Sequence, residues 1–217
     1  MTCGPTCLLS VLRYYGDETS FERVLEVTPT NPDGGTLAVF LGLAARRLGY
    51  AARVFSYNYR VLDPTWSALD RGELREKLLA RAAATPKPKL QNACRAYAAF
   101  LAAGGELAFA DLRPELLVEI LERRHPILCG LSATYLYGQM RERPDDNEED
   151  DVRGDPVGHF LVISGHEDAR TFSVRDPDSH APHGVAGVYR VAGQRLINAV
   201  LLGIVSYDAV LLEVWPA

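Results

Sequence analysis

Cys3-Gly4-Pro5-Thr6-Cys7-Leu8-Leu9-Ser10-Val11-Leu12-Arg13-Tyr14-Tyr15-Gly16 is the most telling run of the chain. Proline near the start of a helical run and glycine just past its end are the punctuation that helices favour. Apolar side chains at Leu8, Leu9, Val11, Leu12 and Tyr15 cover too much of the circumference for a surface helix, so the run from Leu8 to Tyr15 reads as a buried one. Cys3 then sits at or just before the N-terminus of a buried helix. Unpaired backbone N–H groups and the positive end of the helix dipole stabilise a thiolate there, and can lower a thiol pKa from ~8.5 to roughly 3.5–7.5. The thiolate is the form that attacks a carbonyl carbon. The competing reading is a small buried cysteine with only a packing role.

Further along, Phe21 to Val27 reads as a short helix with Ser20 as N-cap. Thr28 to Gly35 is a loop by composition, and Thr36 to Leu48 is helical again, ending at Gly49. Ala51 to Tyr59 alternates and is rich in strand formers. Helices are predicted over Ser67–Ala83, Asn92–Ala102 and Arg113–Arg124. Thereafter strands dominate: Pro126–Ala133, His159–Gly165, Thr171–Arg175 and Val210–Val214, with one helix over Ala192–Val200. Helices first and strands later define an α+β class, with a helical N-terminal half packed on a C-terminal antiparallel sheet. The expectation is a single domain over 1–217, mainly helical over 1–124 and mainly β over 125–217.

Charge narrows the functional classes. The net charge is −5 over 217 residues, and the whole excess lies between Arg141 and Asp155, where eight acids meet three arginines. The rest of the chain is electrically balanced, with no basic stripe or stacking-aromatic motif, so no nucleic-acid partner is expected. The segment 141–156 is expected to be a mobile surface loop, placed just before His159 where it could act as a lid. Four cysteines do not make a disulfide scaffold. No apolar run approaches the ~18–20 residues that span a bilayer. With no secretory leader either, the expected location is cytoplasmic, with reduced thiols.

Three features stand in the order Cys, His, Asp. Cys3 heads the first helix, His159 opens the strand HFLVISG, and Asp176 ends the next strand. In an antiparallel hairpin turning near Asp168-Ala169, His159 and Asp176 stand about equally far from the turn and become neighbours. A carboxylate that accepts from one imidazole nitrogen fixes the tautomer and leaves the other nitrogen for a thiol. Taken singly, the histidine reads as a hydrogen-bonded structural residue and Asp176-Pro177-Asp178 as a turn. Order, strand context and the helix-start cysteine together favour chemistry.

The strings TCGPTCLLSVLRYYG (2–16), GHFLVISG (158–165) and SVRDPD (173–178) resemble the papain-like cysteine peptidases of the double-glycine leader-peptidase group. That group is known as the cytosolic N-terminal domain of bacteriocin-exporting transporters, with free-standing soluble relatives. A weaker likeness runs from Gly34-Gly35 to Gly49. The resemblance implies a papain-like fold, Cys3 as nucleophile, His159 as general base and acid, and Asp176 as the residue orienting the imidazole. It also implies a peptide or protein substrate, no cofactor and no metal, with Cys7 a buried helix residue one turn in. The group carries a glutamine several residues before its cysteine, whose amide helps form the oxyanion hole; here only Met1 and Thr2 precede Cys3. Losing such a donor costs on the order of 10²–10³ in rate. Three readings stay open: a natural chain that extends upstream, which is the expectation; a substitute among Gln91, Gln139 and Gln194; or a weakened enzyme.

Alternatives of other classes remain. Cys3 and Cys7 with His180 and His183 have the spacing of zinc ligands. A non-catalytic peptide-binding relative and an acyl transferase would use the same scaffold. His125 reads as structural at a helix–strand junction, His166 as solvated near the hairpin turn, and Cys94 and Cys129 as core.

Overall fold

The opening run folds as helix α1, Cys3–Tyr14, with Cys3 as its first helical residue and Pro5 inside its first turn. Gly4, Pro5, Cys7, Leu8, Val11 and Leu12 are buried, so the helix is driven into the molecule by its apolar girth. The computed structural model describes residues 2–31, 35–178, 187–206 and 209–217. Helix α2, Phe21–Val27, is capped by the Ser20 side chain, which accepts from the Arg23 N–H. Then come α3, Ala38–Arg47; strand β1, Tyr50–Ser56; α4, Arg71–Ala84; α5, Pro88–Ala102; β2, Glu106–Ala108; and α6, Pro114–Glu122. The second half contributes β3, Ile127–Ser132; α7, Ala133–Tyr137; β4, Gly158–Asp168; β5, Thr171–Arg175; β6, Val188–Ala192; α8, Gly193–Leu202; and β7, Val210–Pro216.

The architecture is α+β, built on one seven-stranded sheet in the order β2-β1-β7-β3-β4-β5-β6. All neighbours are antiparallel except β1 and β2. The sheet reaches further into the first half than composition suggests. Strand β1 pairs along its whole length with β7, from Tyr50 opposite Pro216 to Ser56 opposite Val210. Strand β2 and the edge strand β6 are additions that the sequence reading did not place. Both are short edge strands, and they depend on a neighbouring strand to define them.

Helices cover both faces of the sheet. On one side α1, α3, α4 and α5 pack with Phe160, Val162, Leu128 and Leu212. On the other, α6, α7 and α8 pack with Leu161, Ile163, Cys129 and Leu211. Successive residues of β3 and β4 thus feed opposite cores, which is why ILCGLS and FLVI are continuously apolar rather than alternating.

Close packing at the head of α1 and a buried ion cluster on β7 anchor the two sides of the sheet. Gly4 sits where an added β-carbon would lie 2.8 Å from Thr36 Cγ2 and 3.1 Å from Leu41, so the first turn of α1 packs close against the segment leading into α3. On β7, Glu213 is fully buried and paired with Arg53, Arg123 and His125. The His125 ring stacks on Trp215 at 5.2 Å, a structural role for that histidine. His166 corrects the sequence reading: β4 runs on to Asp168, His166 pairs with Phe172, and its Nδ1 is buried without a partner. The strand extends this far because Asp168 accepts from the N–H groups of Arg170 and Thr171 and closes a tight turn.

Because Leu8 is wholly buried between α1 and the sheet, Leu8→Ala should cost about 2–5 kcal/mol of unfolding free energy. Urea denaturation measures it, and a loss below about 1 kcal/mol would show that α1 is not seated in the core.

Candidate active site

Three elements converge at the head of β4. Helix α1 brings Cys3, β4 brings His159 at its second residue, and the segment leaving β5 brings Asp176. In the β4–β5 ladder Val162 faces Arg175. Extending that register sets Asp176 opposite Leu161, two residues from His159 and therefore on the same face of the sheet. A diagonal pair of this kind lies within reach of an imidazole. His159 Nε2 meets Asp176 Oδ1 at 2.8 Å, which leaves Nδ1 for the thiol. Cys3 and His159 stand close enough for each to shift the other's protonation. The structure therefore brings together all three residues singled out from the sequence.

Asp176 is buried, and its two oxygens accept four hydrogen bonds. Oδ1 takes His159 and the Asp178 N–H at 3.0 Å. Oδ2 takes the hydroxyls of Tyr137 at 2.5 Å and Tyr189 at 2.6 Å. Burial alone would raise its pKa, but hydrogen bonds from His159, Tyr137 and Tyr189 outweigh it and hold the carboxyl below the usual range. Gly187 secures the backbone beside it: the Asp176 N–H donates to Gly187 O at 2.7 Å. Gly187 has a φ of 68°, and a β-carbon there would lie 2.4 Å from Asp176 O, a place that only glycine can occupy. Neither tyrosine was singled out from sequence. Tyr189 sits at a buried position of the alternating VYRVA strand, but spacing says nothing of where a hydroxyl points.

These neighbours set the electrostatics of the sulfur. Burial pushes the Cys3 pKa up, but the hydrogen bond and positive charge of His159, with the backbone N–H groups of Phe160 and Gly4, carry it below its ordinary value. Burial pushes His159 down, whereas Asp176 and Cys3 raise it to about 9. These opposed shifts favour a thiolate–imidazolium pair. The other three thiols behave differently. Cys7 is buried, donates to Phe160 O at 3.3 Å, and is raised well above its ordinary value by burial and the neighbouring thiolate. Burial also raises Cys94 and Cys129.

Cys3 opens on a cleft of about 420 Å³. One wall is Asn31, Gly35, Thr36 and Leu37; the other is the chain from Asp155 to Gly158. Glu142, Arg143 and Pro144 of the acidic segment reach the same cleft. That segment is tied to itself by paired backbone hydrogen bonds between Glu142 and Asp155, at 3.2 and 2.8 Å. Of the candidate glutamines, Gln91 donates to Thr85 O and Gln194 to Asn198. Neither these nor Gln139 lines the cleft. His180, His183 and Gly34 lie outside the described residues. Among the described residues no cluster of His, Cys, Asp or Glu fits a metal ion, and no helix is long and apolar enough to cross a membrane.

No protein-family model and no curated protein matches the chain. Among solved structures, the chain is similar to the peptidase domain of Streptococcus ComA, a bi-functional ABC transporter involved in a quorum-sensing pathway. That match has 15% identity and a TM-score of 0.46, covering 99% of this chain and 91% of that one. It is also similar to a C39-like peptidase from Bacillus anthracis, with 12% identity and a TM-score of 0.45, covering 98% of this chain and 87% of that one.

At neutral pH, iodoacetamide should alkylate Cys3 ahead of Cys7, Cys94 and Cys129. His159→Ala should slow that reaction on the order of tenfold or more, because burial then raises the thiol against only the Phe160 and Gly4 N–H groups. Peptide mapping reads the rates, and equal labelling of Cys3 and Cys94 in the native chain contradicts the ion pair.

Proposed function

We propose that the chain is a papain-like cysteine peptidase, acting on a peptide substrate through Cys3, His159 and Asp176. The observation that carries the reading is the convergence of a helix-start thiol, an imidazole and a buried carboxylate beside an open cleft. The motif resemblance of residues 2–16 and 158–178 to double-glycine leader peptidases supports the same class.

The resting charges dictate the chemistry. The Cys3 thiolate attacks the carbonyl carbon of a bound peptide, and the carbonyl oxygen takes up the negative charge. Backbone N–H groups in the first turn of α1 have no intrahelical acceptor, so they supply donors at the point of attack. The His159 imidazolium gives its proton to the leaving amine, the C–N bond breaks, and a thioester remains on Cys3. Neutral His159 then takes a proton from water, the hydroxyl adds to the thioester, and the acid departs with the thiolate restored. Asp176 holds Nε2 throughout, so Nδ1 faces the sulfur and stabilises each imidazolium that forms.

The test is cleavage of a proteome-derived peptide library, with new termini identified by mass spectrometry. The native chain should generate new termini, Cys3→Ala should generate none, and Asp176→Ala should fall by on the order of 10²–10⁴. Cleavage that survives Cys3→Ala refutes the reading. A native chain that retains peptides without cutting them favours the non-catalytic relative instead.

A further inference from the structure

Asn31 lies in the loop between α2 and α3, on the cleft wall that also holds Gly35. Its backbone is fixed: the Asn31 N–H donates to Gly35 O at 2.8 Å, and Thr36 Oγ1 donates to Pro29 O at 3.3 Å. Its side chain is fixed as well. Asn92, on α5 and not part of the cleft lining, donates its Nδ2 to Asn31 Oδ1 at 2.6 Å. With its Oδ1 engaged by Asn92, the Asn31 NH₂ is turned away from that partner. Among the described residues the Asn31 NH₂ makes no hydrogen bond. A donor pair held in one orientation on the wall of a cleft is placed to meet an acceptor that enters the cleft.

We propose that Asn31 is a substrate-binding residue that donates to a main-chain carbonyl of the peptide lying beside Cys3, with Asn92 as the positioning residue that sets its amide. The inference rests on the peptidase reading and adds to it what the cleft recognises. A neutral amide donor fits a peptide carbonyl regardless of the side chains flanking it, and an extended chain presents a carbonyl to the same wall at every second residue. Gly4, Gly35 and Gly158 line the same cleft and leave room for a substrate backbone to come close.

The test uses acetyl-glycyl-glycinal, a peptide aldehyde that adds reversibly to a thiolate, as protection of Cys3 against iodoacetamide. Two variants remove the donor by different routes. Asn31→Leu deletes it in the wall itself. Asn92→Asp removes the donor to Oδ1 and leaves only acceptors, so the Asn31 amide turns over and shows its oxygen to the cleft. Both should weaken protection about tenfold or more. Alkylation without the aldehyde should proceed at the native rate, because neither residue touches the Cys3–His159 pair. Protection that ignores both substitutions overturns the proposal alone. A native Cys3 that reacts no faster than Cys94 overturns the peptidase reading and the proposal with it.

Discussion

A buried carboxylate is the constraint on which this structure turns. Asp176 has 7% of its surface exposed, and placing an ion there without partners would cost several kcal/mol. Four donors from different parts of the fold meet the cost: His159 on β4, Tyr137 on α7, Tyr189 on β6 and the Asp178 N–H just beyond β5. The charge that organises this side of the sheet is the same one that raises His159, and through His159 lowers Cys3. Folding and reactivity therefore share one interaction. Losing a donor here would leave a buried charge part-satisfied rather than merely remove a contact.

The sulfur is approached from the other side of the sheet. Helix α1 lies in the core with α3, α4 and α5, whereas Tyr137, Tyr189 and the neighbours of Asp176 belong to the core with α6 and α8. His159 stands at the end of β4 where the two sides meet, and the cleft opens at that end of the strand. Gly4 lets the first turn of α1 close up against Thr36, which brings Cys3 and the wall carrying Asn31 to one place. The acidic segment, with its concentrated charge, forms part of the opposite wall beside Asp155 and Pro156.

Much of this was legible in the sequence because it rests on local signals. The buried helix after Cys3, the Ser20 cap and the tight hairpin at Asp168 are each written in a few consecutive residues. The His159–Asp176 pairing came from counting around one turn, although register shifts within β4 and β5 decide the actual alignment. What could not be read depends on distant partners. Strand β6 is an edge whose definition comes from β5, and β1 joins the sheet only because β7, far along the chain, runs beside it. The tyrosine pair and the Asn31–Asn92 contact were equally out of reach. Each is set by the direction of a side chain after packing, which periodicity does not encode.

The proposed chemistry rests on His159 carrying a proton, held there by a thiolate on one side and a carboxylate on the other. Nitrogen-15 NMR of the imidazole across a pH titration measures this directly. The native ring should stay protonated until about pH 9, and its titration point should fall in Cys3→Ala and fall again when Asp176→Asn is added. A native ring that titrates near its ordinary 6.5, unmoved by either substitution, would contradict it.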